Sequence, residues 1–103
     1  MKQKLKLLRK TFSENVFTRD NHKCRICGNT ERLDAHHITD RHLMPNDGYT
    51  EYNGIALCPE HHITAEKYHM TNGKEWANGF HPDDLYKLIG SSYVLAIEES
   101  NSL

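Results

Sequence analysis

Two pairs of metal-ligating side chains limit what this chain can fold into: Cys24-x-x-Cys27 and Cys58-x-x-His61. Structural zinc takes four tetrahedral nitrogen or sulfur ligands, and a Cys-x-x-Cys turn supplies one edge of that tetrahedron. Gly28 lets the backbone leave the first turn. Pro59 stands where a first helical residue would, so Cys58 and His61 fall three apart at a helix start and can face one point. His62 is adjacent and could also reach the ion, but His61 reproduces the two-residue gap of the first pair. Three thiolates and a neutral imidazole around Zn²⁺ leave a net charge of about −1, with Lys23 and Arg25 nearby to soften it. Two other readings of the thiols exist. A thioredoxin-like redox pair at Cys24 and Cys27 wants a βαβ setting that the sequence does not offer. Cys58 could instead be a small buried hydrophobe.

A staple matters because the chain has 103 residues and only 37% hydrophobic composition. One domain of that size buries a core with little margin, and a metal adds to it. The odd number of cysteines, three, argues against a closed disulfide framework and for a reducing compartment. No stretch approaches the roughly 20 apolar residues of a membrane span. The run Met1 to Lys10 lacks the apolar region and cleavage site of a secretory leader. A soluble, cytoplasmic protein is expected.

Periodicity predicts the elements. Leu5, Leu8, Phe12 and Val16 recur every three or four residues, giving a helix over about 3–19 that Asp20-Asn21-His22 ends. Leu33 to Ile38 and Ile55 to Leu57 read as short strands, with a polar loop over 39–52 carrying Pro45 and the turn signal Asn46-Asp47-Gly48. A helix follows from about Pro59 to His69. A helical extension over about 80–99 should comprise Pro82 to Ile89 and a last helix from Ser91 or Ser92 to about Ile97, with Glu98 to Leu103 fraying. The segment Trp76 to Ile97 is expected to pack its aromatics and aliphatics onto the core, with Tyr86, Leu88, Ile89, Tyr93 and Ile97 the candidates, and the same segment could instead offer a partner-binding face. The formal net charge is −1, but residues 1–41 hold ten of the thirteen Lys and Arg against five acids, a net +5. That half is a candidate phosphate-facing surface, or a solvated helix at Lys2, Lys4 and Lys6.

Eight histidines are many for this length, and four sit in the pairs His36-His37 and His61-His62. Paired histidines beside a zinc staple suggest a second, catalytic metal, since histidine serves as base or ligand at neutral pH. The ordered run Cys24-x-x-Cys27, Asp34-Ala35-His36-His37-Ile38 and Asn53-Gly54-Ile55-Ala56-Leu57-Cys58-Pro59-Glu60-His61-His62 resembles the HNH endonucleases, over about residues 17–69. The loop carrying Arg41, Met44-Pro45 and Gly48 is similar to that of small phage and bacterial members.

The resemblance implies an α+β fold with a ββα-metal (His-Me finger) core and structural zinc, flanked by an N-terminal helix and C-terminal helices, as one domain over 1–103. It implies a metal-dependent endonuclease hydrolysing DNA phosphodiester bonds, double-stranded DNA being the expected partner. His37 would be the general base. His36 and His62 would bind the catalytic metal, Mg²⁺ or Mn²⁺. Asn53 would hold loop and strand in register, or touch the metal as in some members. Cleavage would give 5′-phosphate and 3′-hydroxyl ends. The chain departs from the pattern twice. The fourth zinc ligand, commonly Cys, is His61, and a further histidine of many members is replaced by Glu66, one turn past His62. Glu66 is either an oxygen ligand suited to Mg²⁺ or a solvated helix residue.

The residues also admit plainer roles. Neighbours on a strand point to opposite faces, so His36 and His37 share a site only if the strand twists or the metal lies at its edge. Asn53-Gly54 could instead turn a hairpin between Tyr49–Tyr52 and Ile55–Cys58. His69 reads as packing or surface, and His22, His42 and His81 as surface. Arg41, Lys23, Arg25 and Arg32 are candidate DNA contacts or solvated charges. With no separate reading element, little sequence specificity is expected. The rival function is a non-catalytic zinc-stabilised module binding DNA or protein, and a third possibility is a nuclease unit active only with a phage or bacterial partner protein.

Overall fold

A computed structural model describes the backbone of residues 2–103 and the side chains from residue 3 onward, so Met1 and the expected exposure of the Lys2 side chain fall outside the described residues. The order of elements is helix α1 (Lys2–Arg19), strand β1 (Asp34–His37), strand β2 (Gly54–Leu57), then helices α2 (Pro59–Met70), α3 (Pro82–Leu88) and α4 (Tyr93–Asn101). Among the described residues this is a small α+β domain of four α-helices and one two-stranded sheet. The strands are antiparallel, with Asp34 opposite Leu57, Ala35 opposite Ala56, His36 opposite Ile55 and His37 opposite Gly54. Among the described residues no helix is long and apolar enough to cross a membrane.

The sheet divides two packed clusters. The α1 stripe buries Phe12 and Val16 with Tyr49 and Ala56, and Leu5, Leu8 and Ala35 pack around them. On the other side Ile55 and Leu57 meet Ile38, Ala65, Leu85, Tyr86, Ala96 and two of the zinc-type cysteines. Burying an aromatic or branched side chain of this kind contributes about 2 kcal/mol, so packing, more than intrinsic propensity, holds the basic helix α1 in place. Gly54 is where α1 crosses β2: a Cβ there would lie 2.6 Å from Phe12 and Val16 side-chain atoms.

Asp20 does more than end α1. Its buried carboxylate accepts Arg19 Nε and Nη2, both at 2.8 Å, and the Ala56 N–H at 2.9 Å. Arg25 N–H donates to the Ala56 carbonyl at 3.0 Å. The outer edge of β2 is thereby covered, which removes a pairing template for other chains.

Three expectations need correction. The hairpin between Tyr49–Tyr52 and Ile55–Cys58 does not form: Glu51–Asn53 is a single 3₁₀ turn and β2 pairs with β1. The C-terminus does not fray at Glu98, because α4 continues to Asn101 and buries Ser100, whose carbonyl accepts Asn46 Nδ2 at 2.9 Å. Trp76, Leu88 and Tyr93 do not join the core and are 44–50% exposed. Trp76 packs edge-on against His81, 4.8 Å between centroids. His81 in turn is the N-cap of α3, its Nδ1 accepting the Asp83 N–H at 3.0 Å. Histidine is absent from the usual capping set, which is why the sequence pattern did not reveal it.

Candidate functional site

Cys24, Cys27, Cys58 and His61 come together, with one ligand atom of each within 4.8 Å of the others. The knuckle turn places the first two: Gly28 takes a left-handed φ of 79° and its N–H donates to the Cys24 carbonyl at 2.9 Å. The start of α2 places the others. Cys24 Sγ and His61 Nδ1 are 3.8 Å apart, Cys27 and Cys58 sulfurs 3.8 Å, and Cys58 Sγ and His61 Nδ1 3.2 Å. Sulfur and nitrogen ligands bonded to tetrahedral zinc stand about 3.5–3.8 Å apart, so the quartet fits the ion. None of the three cysteines is in a disulfide. Burial pushes the Cys24 thiol up, but backbone N–H groups of Cys58, Cys27 and Ile26 outweigh it and bring it down to about 6. A thiolate of that kind is the form that binds metal. His61 stacks on Phe80 at 6.0 Å, which fixes its ring.

His62, the next residue, points to a different cluster. His36, His62 and Glu66 also place ligand atoms within 4.8 Å of one another. Glu66 Oε1 lies 3.1 Å from His36 Nδ1 and 3.2 Å from His62 Nε2. His36 is 2% exposed, and its Nδ1 has no aligned hydrogen-bond partner. Two imidazoles and one carboxylate thus converge, with His36 Nδ1 left without a partner, a donor set that could hold a divalent cation. The His36 ring holds the Glu66 carboxyl down to about 2, against the opposing effect of burial. Burial also pushes His36 down, keeping its ring neutral and able to ligate. On the far side of His62, Asp34 Oδ2 stands 3.3 Å from Nδ1. A carboxylate there orients the ring and leaves Nε2 for the cluster.

Strand alternation sends His36 toward α2 and His37 toward α1, where it stacks on Phe12 at 4.7 Å. Both nonetheless line one cleft of about 330 Å³, with Ala35, Asp40, Arg41, His42, His62, Glu66 and His69. The strand ends at His37, so the cleft wraps around its tip and reaches both faces. Burial pushes His37 down to about 4, with His36 and Arg41 adding to it and Asp40 and the Asp47 backbone opposing. Its Nε2 is buried and has no partner. The ring is therefore neutral at pH 7 with a free acceptor nitrogen.

His69, read as packing or surface, has a definite place. Its Nε2 pairs with the His37 carbonyl at 2.9 Å and its ring stacks on His36 at 5.2 Å. The only hint in the sequence is its position seven residues past His62, on the same helix face.

Asn53 is not available to a metal. It is fully buried: Oδ1 accepts the Thr39 N–H at 2.9 Å and the Tyr86 hydroxyl at 2.7 Å, and Nδ2 donates to the carbonyls of Thr39 at 3.0 Å and Gly48 at 3.3 Å. Asn53 braces the loop and takes no catalytic position. Arg25 likewise leaves the set of free cations, since it faces Asp20 at 3.5 Å and donates to the Leu88 carbonyl. Lys23 and Arg32 are exposed and away from the cleft lining, whereas Arg41 is part of it.

Comparison with protein-family models, with curated proteins and with solved structures finds no match for this chain.

Proposed function

We propose that the chain is a metal-dependent endonuclease of the HNH, ββα-metal type, hydrolysing DNA phosphodiester bonds. The observation that supports it is one cleft holding both a metal-ligand triad, His36, His62 and Glu66, and a neutral histidine outside that triad, His37. A non-catalytic zinc module has use for the Cys24, Cys27, Cys58 and His61 quartet but none for a second complete donor set.

Hydrolysis requires a proton to leave the attacking water and negative charge to be stabilised on the phosphate. His37 takes that proton, and the hydrogen bond from His69 to its carbonyl steadies the strand end that carries it. His36, His62 and Glu66 would hold Mg²⁺ or Mn²⁺, which when bound supplies positive charge to the scissile phosphate and the leaving 3′ oxygen. Asp34 keeps His62 in the tautomer that ligates. Two nitrogen donors and one oxygen suit Mn²⁺ better than Mg²⁺, so activity with Mn²⁺ should be the higher. The quartet would hold structural zinc, and its thiols belong in a reducing, intracellular setting.

Nicking of supercoiled plasmid with Mn²⁺ and Mg²⁺ tests the reading. Wild type should cut, and His37→Ala should lose at least about 100-fold in rate, the usual contribution of a general base. Zinc content and circular dichroism should stay unchanged in that variant. A His37→Ala protein that cuts at the wild-type rate would overturn the assignment of the base. Wild type inert with every divalent cation would overturn the nuclease.

A further inference from the structure

The five arginines divide into three kinds. Arg19 and Arg25 both face the buried carboxylate of Asp20. Arg32 is exposed on the surface. Arg9 and Arg41, thirty-two positions apart in sequence, instead meet at one neutral oxygen: Arg9 Nε donates to the Tyr49 hydroxyl at 3.0 Å and Arg41 Nη1 donates to it at 3.2 Å. Among the described residues neither guanidinium has a carboxylate within 4.0 Å, and the Tyr49 O–H has no acceptor. Two like charges and a hydroxyl proton therefore converge with no anion between them. Arg9 is exposed and Arg41 half-buried, so both can be reached from solvent, and guanidinium forks match phosphate oxygens in geometry. Tyr49 is 7% exposed, and its ring meets the His37 ring edge-on at 5.0 Å. The cationic group thus lies beside the proposed base, on the α1 side of the cleft, while the metal triad lies on the α2 side.

We propose that Arg9, Arg41 and Tyr49 form a phosphate clamp that grips the DNA backbone next to the scissile position. The clamp rests on the nuclease reading for its location but predicts binding in its own right. It gives α1 a role in recognition: the helix carries Arg9 across the sheet to a loop residue, and neither alone would make the site. Two of the three clamp residues, Arg9 and Tyr49, are outside the set of contacts suggested by sequence.

The test is fluorescence anisotropy of a labelled duplex DNA with the zinc-loaded protein, no added Mg²⁺ or Mn²⁺, over a series of salt concentrations. Each phosphate contact removed lowers the slope of log affinity against log salt by about one. Arg9→Gln and Arg41→Gln should each do so. Lys10→Gln, which removes a charge from the same helix but outside the clamp, should change it far less. Tyr49→Phe keeps both charges, so weaker binding with zinc content and melting temperature retained would show that the hydroxyl organises them. Should Tyr49→Phe fail to fold, the two arginine variants decide. Slopes for Arg9→Gln and Arg41→Gln equal to that of Lys10→Gln would overturn the clamp in favour of diffuse charge. Arginine-dependent binding to phosphatidylserine vesicles with none to duplex would overturn it too. Wild type that binds through the arginines yet never cuts with Mn²⁺ would sink the nuclease and leave the clamp. Wild type that cuts, with Arg9→Gln unchanged in affinity and kcat/KM, would do the reverse.

Discussion

Asn53 commits all four hydrogen-bonding positions of its amide to Thr39, Gly48 and Tyr86. Gly48 is part of that arrangement: its φ is 63°, and a Cβ there would lie 2.7 Å from Asn53 Nδ2. The amide therefore fixes both ends of the loop that separates the strands, and with it the positions of Asp40 and Arg41 at the cleft. Asn53→Ala leaves a buried N–H, two carbonyls and a hydroxyl short of partners, and unmade bonds of this kind cost about 1–3 kcal/mol each before relaxation and water entry. A net loss of about 3 kcal/mol is expected by chemical denaturation, with zinc content unchanged. If Asn53 were instead a ligand, stability would hold and affinity for Mn²⁺ would fall. The two outcomes are separable in one variant.

At the scale of elements, α3 acts as a latch on the same loop. Tyr86 is buried, donates to Asn53 Oδ1 at 2.7 Å and lies 2.7 Å from Thr39 Oγ1. Burial pushes its hydroxyl up to about 12. Between pH 10 and 12 the unfolded chain releases the phenolic proton that the folded chain retains. Stability contributed by Tyr86 is thus complete below pH 10 and is lost as pH rises through about 12, by at most about 3 kcal/mol. Tyr86→Phe should cost about 1–2 kcal/mol at neutral pH and flatten that alkaline decline, measured by urea midpoints from pH 8 to 12. The order of helices and strands could be read from the sequence because apolar spacing and turn residues are local: α1, the two strands, α2 and α3 lie within a few residues of where periodicity puts them. The packing partners could not be read in that way. Nothing local distinguishes Arg25, bound to Asp20, from Arg41, which faces the cleft, and nothing marks Ser100 as buried under the loop. The cluster of Cys24, Cys27, Cys58 and His61 was legible because its spacing is itself the signal. His69 and Tyr49 were not, since their roles arise only when distant segments meet.

For the whole molecule, the two donor sets are joined through the first turn of α2. His61 and His62 are adjacent, yet the first faces Cys24 and Cys58 and the second faces His36 and Glu66. The Cys24, Cys27, Cys58 and His61 quartet joins α2 to the knuckle, and the second set joins the same helix to β1. Dependence between them should run one way. Structural zinc contributes folding free energy directly, so if the quartet holds zinc as proposed, losing it should free the start of α2 and disorder His62 along with it. The second set sits at an open cleft and sustains no comparable part of the core. Cys58→Ser should therefore abolish both bound zinc and calorimetric Mn²⁺ binding, and lower the melting temperature steeply. His62→Ala should abolish Mn²⁺ binding alone, with about one zinc per chain retained and the melting temperature little changed. A Cys58→Ser protein that still binds Mn²⁺ would show the two sites to be independent. Zinc lost from His62→Ala would mean that His62, not His61, completes the quartet in solution. That last result would also remove His62 from the triad, and with it the separation between the residues proposed to hold the fold and those proposed to face the phosphate.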